Sequence, residues 1–320
     1  MRLNQFFRPA SKYLYFVSGI VATLFILFLF LSFFFTDENV VKKIEEFPQK
    51  YRIVSPEVPA DLDFAGEKIP LDNFEVKERI ERELIVNTYL HSATIMSIKR
   101  AGRWFPIIEP ILKRNGIPDD FKYLCVAESN LDNAVSPAGA KGFWQFIEET
   151  GEKYGLEINE EVDERYNVEK STEAACAYLK DAYLKFGSWT MAAASYNMGI
   201  NGVEKQRGRQ KTNNYFNLVL GEETSRYIAR IVAIKEILKS PADYGYDLKD
   251  SEIYKPLKYK TITVDTLISD LADFAFKQNI NYKTLKYYNP WLRDIFLSNK
   301  IGKTYYIKLP EEGSINLIRE

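Results

Sequence analysis

Histidine is almost absent from this chain of 320 residues: His91 is the single one, and Cys125 and Cys176 are the only cysteines. A zinc centre built from several His or Cys ligands cannot be assembled from that inventory. Any Ser-His-Asp or Cys-His relay would have to use His91. That histidine falls late in a long segment of helical periodicity, and Cys125 falls mid-helix, away from the helix start that activates a thiol. Two small buried thiols are expected, with no cofactor and no metal; a disulfide between them is open only to an exported chain. An excess of either charge is also missing. Lys and Arg number 43 against 44 Asp and Glu, a net charge of −1, which gives nucleic acid nothing to bind.

What is abundant is aromatic: 21 Tyr, 21 Phe and 4 Trp, which suits a carbohydrate cleft as well as an ordinary core. One long apolar run covers residues 13–35, preceded by Arg2, Arg8 and Lys12 and followed by Asp37 and Glu38. As a helix it would span roughly 34 Å, enough for a bilayer. The flanking charges keep residues 1–12 in the cytoplasm and export the rest. The run is long for a cleavable signal, and no small-x-small site follows it. An inner-membrane anchor at 13–35 is therefore expected, with secretion after cleavage as the alternative. Residues 36–73 hold Pro48, Pro56, Pro59 and Pro70 and read as an extended leader. Helical periodicity runs from Phe74 to about Arg100 and starts again at Trp104–Arg114. Further helices are expected over Thr172–Phe186, stopped by Gly187, over Trp189–Met198, capped by Ser188, and over Glu223–Leu238, with Lys205, Arg207, Arg209 and Lys211 in a polar loop between the last two.

Within that helical region, residues 117–146 stand out. Pro118, Asp119 and Asp120 open a helix, and Phe121, Leu124 and Cys125 mark its apolar stripe. The next position on the stripe is Glu128. A carboxylate on an inward face costs several kcal/mol if unpaired and keeps its proton instead, which is the state a general acid needs. A structural ion pair is the competing explanation. Ser136-Pro137-Ala138-Gly139 then reads as a turn, and Gly142-Phe143-Trp144-Gln145 returns to apolar sequence.

Glu128-Ser129, Gly142-Phe143-Trp144-Gln145 and Ser195-Tyr196-Asn197 resemble, in order and spacing, the three motifs of family 1 lytic transglycosylases, which usually read Glu-Ser, Gly-Leu-Met-Gln and Ala-Tyr-Asn. The resemblance is greatest to the membrane-bound D branch and runs from Val58-Pro59-Ala60-Asp61-Leu62 through Glu223-Thr224-Ser225-Arg226-Tyr227 to Leu238. It implies a mainly α, lysozyme-like domain over 74–240 that cleaves the β-1,4 bond of peptidoglycan strands between N-acetylmuramic acid and N-acetylglucosamine, leaving 1,6-anhydro ends. Glu128 would be the acid and base. Ser129, Gln145, Tyr196, Asn197 and Tyr227 would hold or support substrate. Phe143-Trp144 in place of Leu-Met, and Ser195 in place of Ala, alter the packing expected against the sugar. Asp132, Glu148, Glu149 and Asp163 are candidates for the second carboxylate that ordinary glycoside hydrolysis requires. A goose-type hydrolase and a non-catalytic wall-binding protein stay open as alternatives.

After a connector at 241–257 the pattern changes. Tyr259–Val264 alternates as a strand, Thr266–Phe276 and Tyr282–Asn289 look helical, and Thr304–Lys308 closes with a strand. This βααβ order, with Val264-Asp265-Thr266-Leu267 and Tyr288-Asn289-Pro290, resembles a LysM glycan-binding module at 258–310, although Val264 stands where Gly is usual.

Overall fold

The computed structural model describes residues 21, 23–28 and 53–314. The expected span at 13–35 and residues 36–52 of the leader thus lie largely outside the described residues. Among the described residues no helix is long and apolar enough to cross a membrane. From Pro56 onward the chain folds as one compact unit.

The helical part comprises α1 (Phe74–Tyr89), α2 (His91–Arg114), α3 (Phe121–Ser129), α4 (Glu148–Lys153), α5 (Val168–Phe186), α6 (Trp189–Met198), α7 (Ile200–Gln210) and α8 (Glu222–Lys239). Helix α8 is its axle. Tyr227, Ile228, Ile231, Val232, Ile234 and Ile237 are buried around most of its circumference, the pattern of a helix enclosed on several sides, and it packs on α1, α3 and α6. The fully buried Ala192, Ala193 and Ala194 let α6 lie close to α5 and α8. Both thiols, Cys125 and Cys176, are free and buried in this core.

Three boundaries differ from expectation. Leu90 splits the first long helical segment, which makes His91 the first residue of α2. Helix α2 then runs through Pro106 and Pro110, where periodicity had started a new helix at Trp104; each proline removes one intrahelical hydrogen bond without ending the helix. Lys205, Arg207 and Arg209, expected in a polar loop, lie on α7, in which only Val203 is buried, so no apolar stripe marks it.

The expected leader is also shorter than its proline content implied. Asp63–Phe64 (β1) and Glu67–Lys68 (β2) form a small antiparallel hairpin whose Leu62, Phe64 and Ile69 are at most 2 % exposed. Lys235 of α8, itself buried, donates to Asp63 O and to Asp120 Oδ2 at 3.0 and 2.8 Å. Glu67 accepts from the backbone N–H groups of Trp189 and Thr190 and so caps α6, the helix that carries Tyr196. A carboxylate at a helix N-terminus satisfies two orphan donors and complements the dipole.

The tail has the expected βααβ order: β3 (Tyr259–Val264), α9 (Leu271–Lys277), α10 (Tyr282–Tyr288) and β4 (Tyr305–Pro310). The two strands pair antiparallel from Tyr259↔Pro310 to Val264↔Tyr305. Its core takes in Val162 and Tyr166 of the helical part. Asp163 N donates to Trp291 O at 2.9 Å and Arg293 N to Glu161 O at 2.7 Å, while Tyr305 Oη donates to Glu157 at 2.9 Å. The tail is therefore docked on the loop between α4 and α5 rather than strung from it.

Two outcomes follow from these packings. A Cβ on Gly142, at φ +80°, would stand 1.9 Å from Arg165 O, whereas one on Gly139, at φ +79°, meets nothing within 4 Å. Gly142→Ala should cost at least about 2 kcal/mol and Gly139→Ala about 1 kcal/mol or less, as read by urea unfolding; equal losses would contradict the close approach. A chain ending at Leu257 uncovers Val162 and Tyr166, on the order of 3 kcal/mol of burial. It should melt below the full chain, and an unchanged melting temperature would show that docking adds no stability.

Candidate active site

Helix α3 stops abruptly at its C-terminal end because Asn130 (φ 52°) and Leu131 (φ 55°) are both left-handed. Asparagine tolerates that region, but leucine is strained there and needs the surroundings to hold it; Leu131 is 1 % exposed, locked in the core. The turn leaves Glu128 on the last helical turn. The segment after it is tied back to α3: Ser129 Oγ donates to Phe143 O at 2.8 Å and to Cys125 O at 3.2 Å. Gly142 gives the passage beneath Arg165 O. Gln145, at φ 49°, donates its amide to Ala134 O and Gly142 O at 3.1 and 2.7 Å.

Around this segment opens a cleft of about 840 Å³. Glu128, Gln145, Tyr196 and Asn197 line it, together with Glu149 and Glu223. Tyr227 comes from α8 beneath it: its hydroxyl donates to Glu128 Oε1, and its side chain is almost fully buried. Burial pushes the Glu128 carboxyl up to about 7; the nearby Glu223 charge adds to this, while the Tyr227 hydrogen bond and the Arg230 charge oppose it. Arg230 does not pair with Glu128 directly. It lies 3.8 Å from Glu83, a buried carboxylate that also holds Arg226 at 3.3 Å. Glu128 is thus a desolvated acid with one oxygen occupied by a phenol and the other left for chemistry.

Of the residues expected to hold substrate, three reach the cleft and two do not. Ser129 is buried with its hydroxyl on backbone carbonyls, so it fixes the motif segment. Tyr227 orients the acid. Tyr196 lines the cleft but gives its hydroxyl to Trp144 O at 2.7 Å. Asn197 is held between Glu223 Oε1 at 3.2 Å and Thr224 Oγ1 at 2.6 Å. Phe143 and Trp144 are core residues, 2 % and 0 % exposed, with the Trp144 indole donating to Thr172 Oγ1 at 2.9 Å; neither is among the residues lining the cleft. Ser195 is buried and donates to Ala192 O at 2.7 Å, so its substitution for Ala leaves no polar atom unsatisfied.

The four candidate second carboxylates separate cleanly. Asp163 is buried against Arg165 at 2.7 Å, Asp132 pairs with Arg100 at 2.5 Å, and Glu148 does not line the cleft. Only Glu149 does. Glu223 joins it there and had carried no role in the sequence beyond its place in a matching stretch; its hydrogen bond with Asn197, 26 residues away, is a tertiary contact with no local signature.

Residues 105–219 match the transglycosylase SLT domain model, and residues 260–313 match the soluble lytic transglycosylase C-terminal LysM-like domain model. Membrane-bound lytic murein transglycosylase D from two Escherichia coli strains, K12 and O6:H1, is 28 % identical over 263 residues, covering 79 % of this chain and 56 % of that protein. The chain spans little more than half the length of those relatives. A putative tributyltin chloride resistance protein of Alteromonas sp. strain M-1 is 27 % identical over 158 residues, 48 % of this chain and 76 % of that protein. The desolvated Glu128, the Gly142–Gln145 segment and Tyr196 fall inside the first match, and the docked βααβ unit fills the second: the chain is similar to transglycosylase SLT domains over residues 105–219 and to the soluble lytic transglycosylase C-terminal LysM-like domain over residues 260–313.

Proposed function

We propose that the chain is a peptidoglycan lytic transglycosylase that cuts the β-1,4 bond between N-acetylmuramic acid and N-acetylglucosamine. The observation that carries this is one carboxyl, Glu128, raised to about 7 by burial within a long cleft. Near neutral pH such a group both gives and takes a proton readily. The protonated Glu128 delivers its proton to the glycosidic oxygen as the C1–O bond breaks. The acetamido oxygen of the sugar bonds to C1 in the same step, the role a second carboxylate has in ordinary retaining enzymes. Glu128, now anionic, removes the proton of the C6 hydroxyl. That oxygen attacks C1, expels the acetamido oxygen and closes the 1,6-anhydro ring. The same group is acid and then base, and no water is consumed.

Tyr227 holds Oε1 so that Oε2 faces the bond. Gln145, Tyr196 and Asn197 shape the cleft around the sugar, each kept in place by its own hydrogen bond. The substrate lies outside the cytoplasmic membrane, in agreement with an anchor at residues 13–35 and a domain exported into the cell envelope.

Glu128→Gln should lower cleavage of purified murein by at least ~10²-fold while leaving the fold and murein binding intact; near-normal turnover would refute the assignment. Mass spectrometry of wild-type products should find ends one water lighter than reducing sugars, and reducing ends would instead establish a hydrolase. The raised carboxyl also makes a linkage prediction. The folded chain holds a proton that the unfolded chain has released between about 4.5 and about 7, so this stabilising contribution is complete below that window and is lost as pH rises through it. Glu128→Gln should therefore melt above the wild type at pH 8 and converge with it at pH 4. Tyr227→Phe removes a hydrogen bond that favours the anion, so the alkaline limb of the rate profile should move to higher pH; an unchanged limb would remove Tyr227 from the control of the acid.

A further inference from the structure

A second cavity, of about 350 Å³, lies between the catalytic domain and the docked tail, within the range of small-ligand pockets. The chain following Glu128 divides it from the cleft: Asn133 and Phe143 line the cavity, whereas Ser136, Gln145 and Phe146 line the cleft. Its walls are unusually aromatic, with Trp104 from α2, Tyr254 from the connector, and Tyr287 and Trp291 from the tail. Tyr287 is 58 % exposed. The charges at its edge are already neutralised, Arg100 by Asp132 and Lys308 by Glu169.

Two polar groups on these walls have unused capacity. Arg103 donates Nε to Lys255 O and Nη1 to Tyr287 Oη, at 3.1 and 3.0 Å, and its Nη2 makes no hydrogen bond among the described residues. Asn133 lines the cavity, and its Oδ1 is out of water and has no donor, which leaves the wall one N–H or O–H short. We propose that this cavity is a second glycan site, taking an N-acetylated amino-sugar segment of the polymer that also enters the cleft. The ring faces lie on the aromatic walls, the acetamido carbonyl accepts from Arg103, and a sugar hydroxyl or amide donates to Asn133. The paired charges favour a neutral sugar over the carboxylates of a stem peptide. The identity of the ligand rests on the proposed function; the cavity itself does not.

The test uses the full chain with Glu128→Gln, labelled with 5-fluorotryptophan and titrated with chitotetraose. Of the four tryptophans, Trp104 and Trp291 line this cavity, and among the described residues none lines the cleft. Their two resonances should shift saturably while that of Trp189 stays. Asn133→Ala and Tyr287→Ala should each weaken this shift's Kd roughly tenfold, as loss of one or two polar and stacking contacts does. In the chain that retains Glu128, both should leave cleavage of short soluble murein glycans unchanged. Unmoved Trp104 and Trp291 signals would overturn the proposal, as would a response to a sugar-free stem tetrapeptide in place of the sugar. Either result leaves the reading of the cleft standing, because that reading fails only on the turnover of Glu128→Gln.

Discussion

Desolvation of the Glu128 carboxyl is the constraint around which the helical domain is arranged. An acid buried next to a guanidinium would ionise and lose its proton well below neutrality. Here the direct partner is the Tyr227 hydroxyl, which orients an oxygen without supplying a charge. The nearby Arg226 and Arg230 are turned toward the buried Glu83. A buried carboxylate with several arginines is a poor source of stability in itself; its effect at this place is to keep cations from claiming the acid. Glu223, across the cleft, pushes in the same direction.

Much of this was legible from residues alone, for identifiable reasons. Glu128 announced itself because helical periodicity put a carboxylate where an apolar side chain belongs. Gly142 was marked as the first residue of a matching motif, and here it passes under Arg165 O. The caps Ser188 and Gly187 were readable because capping is local chemistry. The hairpin at residues 63–68 was not: two strands of two residues carry too short an alternation, and the prolines around them read as linker. Helix α7 escaped for the opposite reason, since a helix that buries only Val203 has no periodic stripe. The Glu67 cap on α6, 122 residues away along the chain, is beyond any local pattern.

The tail was recognisable as a unit by its strand–helix–helix–strand order, but not as a docked one. Its seat depends on Val162 and Tyr166, two residues between α4 and α5 that no motif or periodic stripe marks. The connector is fastened as well, since Tyr254 N donates to Lys99 O at 3.1 Å and Ile253 packs over Gly102 so tightly that a Cβ there would fall 2.2 Å from it. Two domains joined in this way do not sample one another through a flexible linker, so the effective-concentration arithmetic of tethered modules does not apply between them. Whatever both contact must match a fixed separation.

The two thiols of the core have a consequence for the redox chemistry of the chain. Burial pushes the Cys176 thiol up to about 12 and that of Cys125 well above its ordinary value, the latter helped by the charge of Glu128. The thiolate is the species that attacks disulfides and is oxidised to sulfenic acid, and neither cysteine supplies it at physiological pH. An oxidant therefore finds no reactive sulfur in the folded helical domain, whose two cysteines are free and buried.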